Sequence, residues 1–135
     1  MAAARDPWWV IGSAAVWLHD RATTVADVDV LASVCDADRL FGLRQRVADP
    51  ADRLFRSARF GSVATDALPI EIMADLCVKA DGTWRPVTPR TRCAVQAGNA
   101  VVFMPGRVEL IGILRLFGRP KDAARAALLE RDGAR

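Results

Sequence analysis

Short apolar runs separated by glycine, proline and acidic residues predict alternating strands and helices in the first half of the chain. Trp8–Gly12 and Val28–Val34 are dominated by apolar residues and have the length of buried strands. Ala14–Leu18, which follows Ser13 as an N-cap, and Arg39–Val47, which has apolar residues on one face, predict the helices that follow these strands.

The second half of the chain is richer in strand patterns and ends in two helices. The predicted strands are Phe60–Ala64, Pro69–Val78, Trp84–Val87 and Ala100–Met104. A turn signal at Asp81-Gly82 joins the second and third of these strands into a hairpin. Val108–Phe117 and Lys121–Arg131 carry apolar residues at helical spacing, and Gly118 and Pro120 lie between them.

This order of elements predicts an α+β fold with an α/β-like beginning, in which helices flank a mixed β-sheet. The 135 residues are enough for one domain and too few for two ordinary ones. We therefore expect a single domain over residues 1–135, with a core at about 8–104 and a C-terminal helical pair at 107–131.

Composition and charge narrow the class of protein without identifying its ligand. The chain is 52% hydrophobic and 26% charged, as in globular proteins, and its net charge of +3 permits a phosphate-bearing ligand without requiring one. Three widely spaced cysteines, Cys35, Cys77 and Cys93, argue against a disulfide framework or a structural zinc site. With neither a secretory signal nor a membrane-length apolar run, we expect a cytoplasmic protein without membrane contact.

Three acidic residues interrupt the apolar strands and are the candidate metal ligands. Asp27 and Asp29 flank Val28, and Glu71 lies between two isoleucines. Alternate residues of a strand point to the same face about 7 Å apart, so Asp27 and Asp29 project together. Paired carboxylates repel each other and are costly to desolvate unless a divalent cation such as Mg²⁺ binds them. The alternative, a strand with one solvated face, stays open for Asp27 and Asp29 without the other motifs, and Glu71 alone is more often a solvent-facing residue.

Gly12 and Ser13 lie where the first strand meets the first helix. Such a junction presents free backbone N–H groups and the positive end of a helix to an anion. Gly12 allows the backbone to approach a phosphate closely, and Ser13 can add its hydroxyl. An ordinary N-cap is the alternative interpretation of the same dipeptide.

Taken in order, these motifs resemble the nucleotidyltransferase superfamily, which has the DNA polymerase beta-like fold. Its pattern is a strand ending in Gly-Ser, a gap, an Asp-apolar-Asp-apolar strand and a third acid on a later strand. Gly12-Ser13, Asp27-Val28-Asp29-Val30 and Glu71 follow that order. In addition, the segment Gly118–Asp122 is similar to the Arg-x-Lys-Asp segment of AbiEii-type and other small bacterial nucleotidyltransferases.

The resemblance implies an enzyme that moves a nucleoside monophosphate from an NTP to a hydroxyl of RNA, protein or a small molecule. It implies two Mg²⁺ or Mn²⁺ ions on Asp27, Asp29 and Glu71, with Gly12, Ser13 and Lys121 around the triphosphate. A toxin–antitoxin setting with a cognate antitoxin-type partner, or a homodimer, is compatible with it. A non-catalytic nucleotide-binding or partner-binding module of the same fold is the alternative.

Other polar residues near these motifs are placed outside the predicted site. His19 follows the first helix, and a lone histidine is more often a surface or hinge residue than a catalytic group. Arg21, in the next loop, is near enough in sequence to reach a triphosphate, but it is not counted among the predicted site residues. Arg53, Arg56 and Arg59 form a basic cluster that lacks the interleaved aromatic residues of nucleic-acid binding sites, so a solvated face is the simpler interpretation.

Overall fold

The computed structural model describes residues 3–20, 23–41, 44–46 and 54–133, with the backbone alone at 44–46, 132 and 133. Thirteen elements lie in this part of the chain. They are β1 Trp9–Ile11, α1 Gly12–His19, β2 Val28–Ala32, α2 Val34–Phe41, β3 Arg44–Arg46, β4 Phe55–Val63, β5 Ile70–Ala74, β6 Cys77–Ala80, β7 Thr83–Pro86, β8 Cys93–Ala97, β9 Ala100–Met104, α3 Arg107–Phe117 and α4 Pro120–Gly133. None of the described helices is both long and apolar enough to cross a membrane.

A mixed sheet forms the centre of the molecule. Its strand order is β1-β2-β5-β4-β6-β7, with β3 beside β4, and β8 and β9 form a separate hairpin. The pairing of β2 with β5 is parallel, and the other pairings among the described strands are antiparallel. The α+β fold with a mixed sheet and flanking helices that the sequence predicts is therefore confirmed.

Apolar side chains cover both faces of this sheet. On one face, Val10, Val30 and Ile72 pack with residues of α1, β9, α3 and α4. On the other face, Leu31 and Met73 lie in a second core, which reaches the β6–β7 hairpin and the C-terminal end of α3. Side chains alternate along a strand, so residues two positions before Leu31 and Met73 also face this second core.

Several boundaries differ from the sequence prediction for local reasons. The second helix begins at Val34 because the Ser33 hydroxyl accepts a hydrogen bond from the Asp36 amide at 3.0 Å, as an N-cap does. The predicted strand Pro69–Val78 is two strands, since Asp75 takes a left-handed conformation with φ 52° between them. The helix predicted at Arg39–Val47 is wrong at its end, because α2 stops at Phe41 and Arg44–Arg46 form the strand β3.

The β4 strand contains a bulge. Arg44 of β3 pairs with Phe60 and Arg46 pairs with Ser57, so two steps along β3 correspond to three steps along β4. The bulge reverses the alternation of side chains along β4. As a result, Phe55 and Phe60 both pack against the second core although five positions separate them.

The N-terminal segment is attached to α2 through the buried carboxylate of Asp36. That carboxylate accepts hydrogen bonds from the backbone amides of Asp6 at 2.8 Å and Arg5 at 3.1 Å, and from the Arg39 guanidinium at 2.9 Å. The amide of Asp6 first, and then Arg39 and Arg5, lower the pKa of Asp36 to about 2 against the opposing effect of burial. The segment that leads into β1 therefore depends on one ionised carboxylate.

We predict that Asp36→Asn lowers the melting temperature at neutral pH and not at low pH. A folded-state pKa below the ordinary value contributes stability above about pH 4, which is lost as the pH falls towards about 2. Thermal unfolding of both chains between pH 2 and pH 7 measures the difference. A gap in melting temperature of the same size at pH 2 and pH 7 would contradict this role.

Candidate metal centre

Asp27, Asp29 and Glu71 lie together at one end of the parallel strand pair. Asp29 of β2 and Glu71 of β5 are direct register partners. Asp27 immediately precedes β2 and lies two residues before Asp29, on the same face of the chain. One oxygen from each carboxylate lies within 4.8 Å of the other two, and all three side chains are half-buried. The acids that the sequence singles out thus form one cluster.

The electrostatics of the cluster centre on Asp29. Burial raises its pKa, as do the charges of Asp27 and Glu71 and a hydrogen bond with Glu71, to about 7, while Arg119 acts in the opposite direction. Without a cation, the Asp29 carboxyl therefore holds its proton to a higher pH than an ordinary aspartic acid does. Mg²⁺ and Mn²⁺ take carboxylate oxygens as ligands, so this set of donors and their separation fit a divalent cation.

Gly12 is needed where the chain passes directly over the cluster. Its φ is +67°, and a Cβ atom built there would lie 2.9 Å from the Oδ2 atom of Asp29. A side chain at position 12 would therefore be both strained and in collision with a candidate metal ligand. The Asp29 carboxylate beneath it is thus sufficient to explain the glycine of the Gly-Ser motif.

Ser13 lies inside the first turn of α1 rather than at its cap. The N-cap is Ile11, no side chain caps this end, and Ser13 is 6% exposed, so the N-cap predicted for Ser13 is wrong. Among the described residues, no side chain therefore accepts from the first amides of α1, at the end of the helix next to Asp29. These N–H groups and the helix dipole favour an anion beside the acidic cluster.

Arg119 is the residue near the cluster that sequence reasoning missed. Its guanidinium donates to the Oδ2 and Oδ1 atoms of Asp122 at 2.6 and 3.1 Å, and Asp122 is fully buried at the start of α4. Its charge is close enough to oppose the raised pKa of Asp29. Lys121, which the sequence favoured, is exposed in the first turn of α4. The Gly118–Asp122 motif correctly pointed to this segment, but its arginine, and not its lysine, acts on the acidic cluster.

The other polar residues noted in the sequence have different roles. The Nε2 atom of His19 donates to the carbonyl of Pro105 at 3.1 Å, and burial, the largest effect, lowers the pKa of this imidazole. The guanidinium of Arg56 lies 4.5 Å from the ring centroid of Trp84, and Arg59 donates to Asp38 at 2.6 Å. Arg21 and Arg53 lie outside the described residues.

Comparison with known proteins finds a shared fold. No protein-family model matches the chain, and no curated protein matches it. The crystal structure of a putative nucleotidyltransferase from Thermotoga maritima is similar, with a TM-score of 0.66 and 22% sequence identity. The match covers 100% of this chain and 87% of that one. The chain therefore has the nucleotidyltransferase fold that its motifs predict, while the closer resemblance to AbiEii-type proteins stays a prediction.

We predict that Asp29→Asn stabilises the metal-free protein at alkaline pH. A carboxyl group whose folded-state pKa is raised to about 7 costs stability progressively as the pH rises from about 4 to about 7, and the full cost remains above that. A neutral amide avoids this cost, so with a chelator at pH 8 the free energy of unfolding should rise by about 1–2 kcal/mol.

The measurement is thermal unfolding in a chelator at pH 4 and pH 8, where this gain corresponds to about 3–8 °C at the higher pH. At pH 4 the two chains should unfold at nearly the same temperature. A substituted chain that is less stable than the wild type at pH 8 would show that the carboxylates do not repel one another as described.

Proposed function

We propose that the protein is a Mg²⁺-dependent nucleotidyltransferase that moves a nucleoside monophosphate from an NTP to a hydroxyl acceptor. The observation that carries the proposal is the convergence of Asp27, Asp29 and Glu71 within 4.8 Å on a nucleotidyltransferase fold. This set of ligands suits two-metal phosphoryl chemistry, in which the cations activate the attacking oxygen and neutralise the departing pyrophosphate.

The phosphate-binding part of the proposal rests on the start of α1 and on the start of α4. Gly12 and Ser13 offer uncapped amides beside Asp29, in a place where the chain has no side chain at position 12 to block a phosphate. Positive charge comes from the start of α4. Arg119 is held there by its hydrogen bonds to Asp122, and the exposed Lys121 lies two residues further along the chain. The triphosphate then lies between the two helix starts, and its α-phosphorus faces the acids.

In the transfer, the acceptor oxygen forms a bond to the α-phosphorus and the bond from that phosphorus to the β-phosphate oxygen breaks. Pyrophosphate leaves with the electron pair, and the acceptor proton passes to a base. Glu71 is the acid that we assign to the acceptor. It lies on β5, on one side of β2, whereas Gly12 follows β1, on the other side of β2. Asp27 and Asp29 would hold the cations, with Glu71 as a further ligand, and in-line positioning would supply most of the rate enhancement.

A non-catalytic module of the same fold, the alternative left open by the sequence, explains the acids less well. Burial and the two acidic neighbours raise the pKa of Asp29 to about 7. Grouping these carboxylates is unfavourable in a protein that binds no cation there. The proposal also includes the cytoplasmic location and the RNA, protein or small-molecule acceptor expected from the sequence, with a toxin–antitoxin pair as one setting.

We predict that NTP with Mg²⁺ raises the melting temperature of the wild-type chain and not that of Asp27→Asn/Asp29→Asn. A ligand that binds only the native state at 100 times its Kd adds about 2.7 kcal/mol to the free energy of unfolding. Thermal shift with each of the four NTPs, with Mg²⁺ or with a chelator, measures the effect. Asp66→Asn, which changes an exposed carboxylate outside the cluster, is the matched control and should respond like the wild type.

Transfer itself is then measured by release of pyrophosphate in the presence of candidate acceptors. Asp29→Asn should lower the rate at least about a hundredfold while the fold survives, because a metal ligand is lost and the shape of the side chain is kept. If Asp29→Asn transferred nucleotide at the wild-type rate, the assignment of the site would be wrong.

A further inference from the structure

Trp84 is a large aromatic residue that belongs to neither core of the molecule. It lies on β7, the strand at one edge of the mixed sheet, and its side chain is half-buried. The two apolar clusters that cover the faces of the sheet do not include it. Packing of the core therefore does not explain why an indole ring is present at this edge.

Two cationic side chains surround this ring. The guanidinium carbon of Arg56 lies 4.5 Å from the ring centroid, and the ammonium nitrogen of Lys79 lies 5.9 Å from it. A cation is attracted to an aromatic face over distances of up to about 6 Å. Arg56 pairs with Cys77, Lys79 pairs with Trp84, and alternate residues of a strand share a face, so all three side chains lie on one face of the sheet. Arg56, Lys79 and Trp84 are termed the cationic platform.

The positive charge of the cationic platform is not compensated by nearby acids. Arg56 and Lys79 are exposed, and neither takes part in an ion pair among the described residues. Carboxylate partners are found, in contrast, for Arg39, Arg59, Arg115 and Arg119. A cation that lies over an indole ring keeps its N–H donors available for a phosphate, so the platform suits an anion that also has a flat ring.

Arg56 connects the cationic platform with the acidic cluster. It lines a small cavity that also has Asp29 and Glu71 in its wall. In the mixed sheet, β5 carries Glu71, and β4, β6 and β7 follow it in that order. The platform therefore lies on the side of Glu71, the acid that we assign to the acceptor, and away from the start of α1.

We propose that the cationic platform binds the single-stranded end of a nucleic acid whose terminal 3′ hydroxyl is the acceptor. The proposal rests on the proposed function and adds the class of the second substrate. A base stacks on Trp84, while Arg56 and Lys79 pair with neighbouring phosphates. The hydroxyl oxygen forms a bond to the α-phosphorus, its proton passes to Glu71, and pyrophosphate leaves with the electron pair. The strand becomes longer by one nucleotide.

The combination of charge and aromatic surface selects a nucleic acid over other anionic partners. An acidic peptide would pair with Arg56 and Lys79 but would bring no flat ring to Trp84. Every base has an aromatic face, and stacking on an indole ring tolerates any sequence. The 3′ end of a strand also supplies the hydroxyl that nucleotidyl transfer requires, so one ligand accounts for the ring, the cations and the neighbouring acids.

The cationic platform changes the interpretation of the basic cluster noted in the sequence. That cluster lacks an aromatic residue along the chain, but Trp84 supplies one from a strand further along in sequence. Of the clustered arginines, Arg59 is occupied by Asp38, whereas Arg56 is free to contact a phosphate. A solvated face therefore describes Arg56 less well than an interface for nucleic acid.

The test is fluorescence anisotropy of a labelled single-stranded RNA of about twelve nucleotides, titrated with the full chain. A chelator is present and NTP is left out, so the result does not depend on transfer. The wild type should bind saturably and about sevenfold more weakly at about 200 mM than at about 50 mM salt, as two phosphate contacts require. Lys79→Gln should reduce this salt effect to about threefold. Trp84→Ala should bind at least about fivefold more weakly than the wild type, the loss of one base stack.

Arg85→Gln is the matched control for charge. Arg85 is exposed and pairs with Val78, which faces the second core, so it lies on the other face of the same hairpin. Its substitution removes the same charge as Lys79→Gln and should change RNA affinity by less than about twofold. Trp84→Phe keeps an aromatic ring and should recover most of the affinity that Trp84→Ala loses. The melting temperatures should stay near the wild-type value, since Trp84 belongs to neither core.

Three further ligands test which chemistry is bound. Single-stranded DNA of the same sequence should bind like the RNA, because neither stacking nor phosphate pairing reads the 2′ hydroxyl. An RNA duplex should bind more weakly, since its bases are already stacked on one another. An acidic peptide of equal charge should bind at least about fivefold more weakly than the RNA.

Four outcomes overturn the proposal. They are no saturable binding of RNA to the wild type, equal RNA affinity in Trp84→Ala and wild type, an equal loss in Arg85→Gln and Lys79→Gln, and equal affinity for the acidic peptide and the RNA. If RNA binds as expected while no NTP shifts the melting temperature, the cationic platform stands and the proposed transfer fails. If NTP binds with Mg²⁺ while RNA does not bind, the reverse holds.

Discussion

The parallel pairing of β2 with β5 is the interaction on which the candidate metal centre depends. Its register sets Asp29 directly beside Glu71, and the alternation of side chains adds Asp27 to the same face. The hydrogen bonds of the ladder and the apolar neighbours Val30, Leu31, Ile72 and Met73 hold this register against the repulsion of the acids. A slip by one residue would turn the acids to opposite faces and remove the cluster.

Two features beside the cluster carry charge that the described residues do not neutralise: the three carboxylates and the uncapped, positive start of α1. Gly12 leaves room for the Asp29 carboxylate, and the uncapped start of α1 favours an anion beside it. Arg119 is the cation that acts on Asp29, yet two of its nitrogens already bond the buried Asp122. A cation bound by the acids and an anionic ligand next to it would satisfy both features at once.

Much of this organisation could be predicted from the sequence, because it depends on local patterns. The strand at Ala100–Met104 matches β9, and Asp81 and Gly82 form the hairpin turn with φ values of 52° and 77°. The acids stand out because carboxylates are rare inside apolar strands. The start of α2 was missed, although Ser33, three residues before Asp36, carries the N-cap signal.

The features that could not be predicted depend on contacts between distant parts of the chain. Nothing local shows that Arg119 rather than Lys121 faces Asp29, because α4 is positioned by its packing against α3 and α1. The bulge in β4, which lies beside the buried Ser57, depends on the pairing of β3 with β4. That the buried Ser57 hydroxyl lacks a hydrogen-bond partner among the described residues becomes visible when the surrounding side chains are in place.

Binding of Mn²⁺, followed by electron paramagnetic resonance at pH 8, tests most directly whether the three carboxylates form a metal centre. We expect the signal of free Mn²⁺ to fall saturably as wild-type protein is added, and Glu71→Gln to weaken this binding at least about tenfold. Asp66→Asn should bind Mn²⁺ like the wild type. Equal binding by the wild type and Glu71→Gln would contradict a centre that is built from Asp27, Asp29 and Glu71.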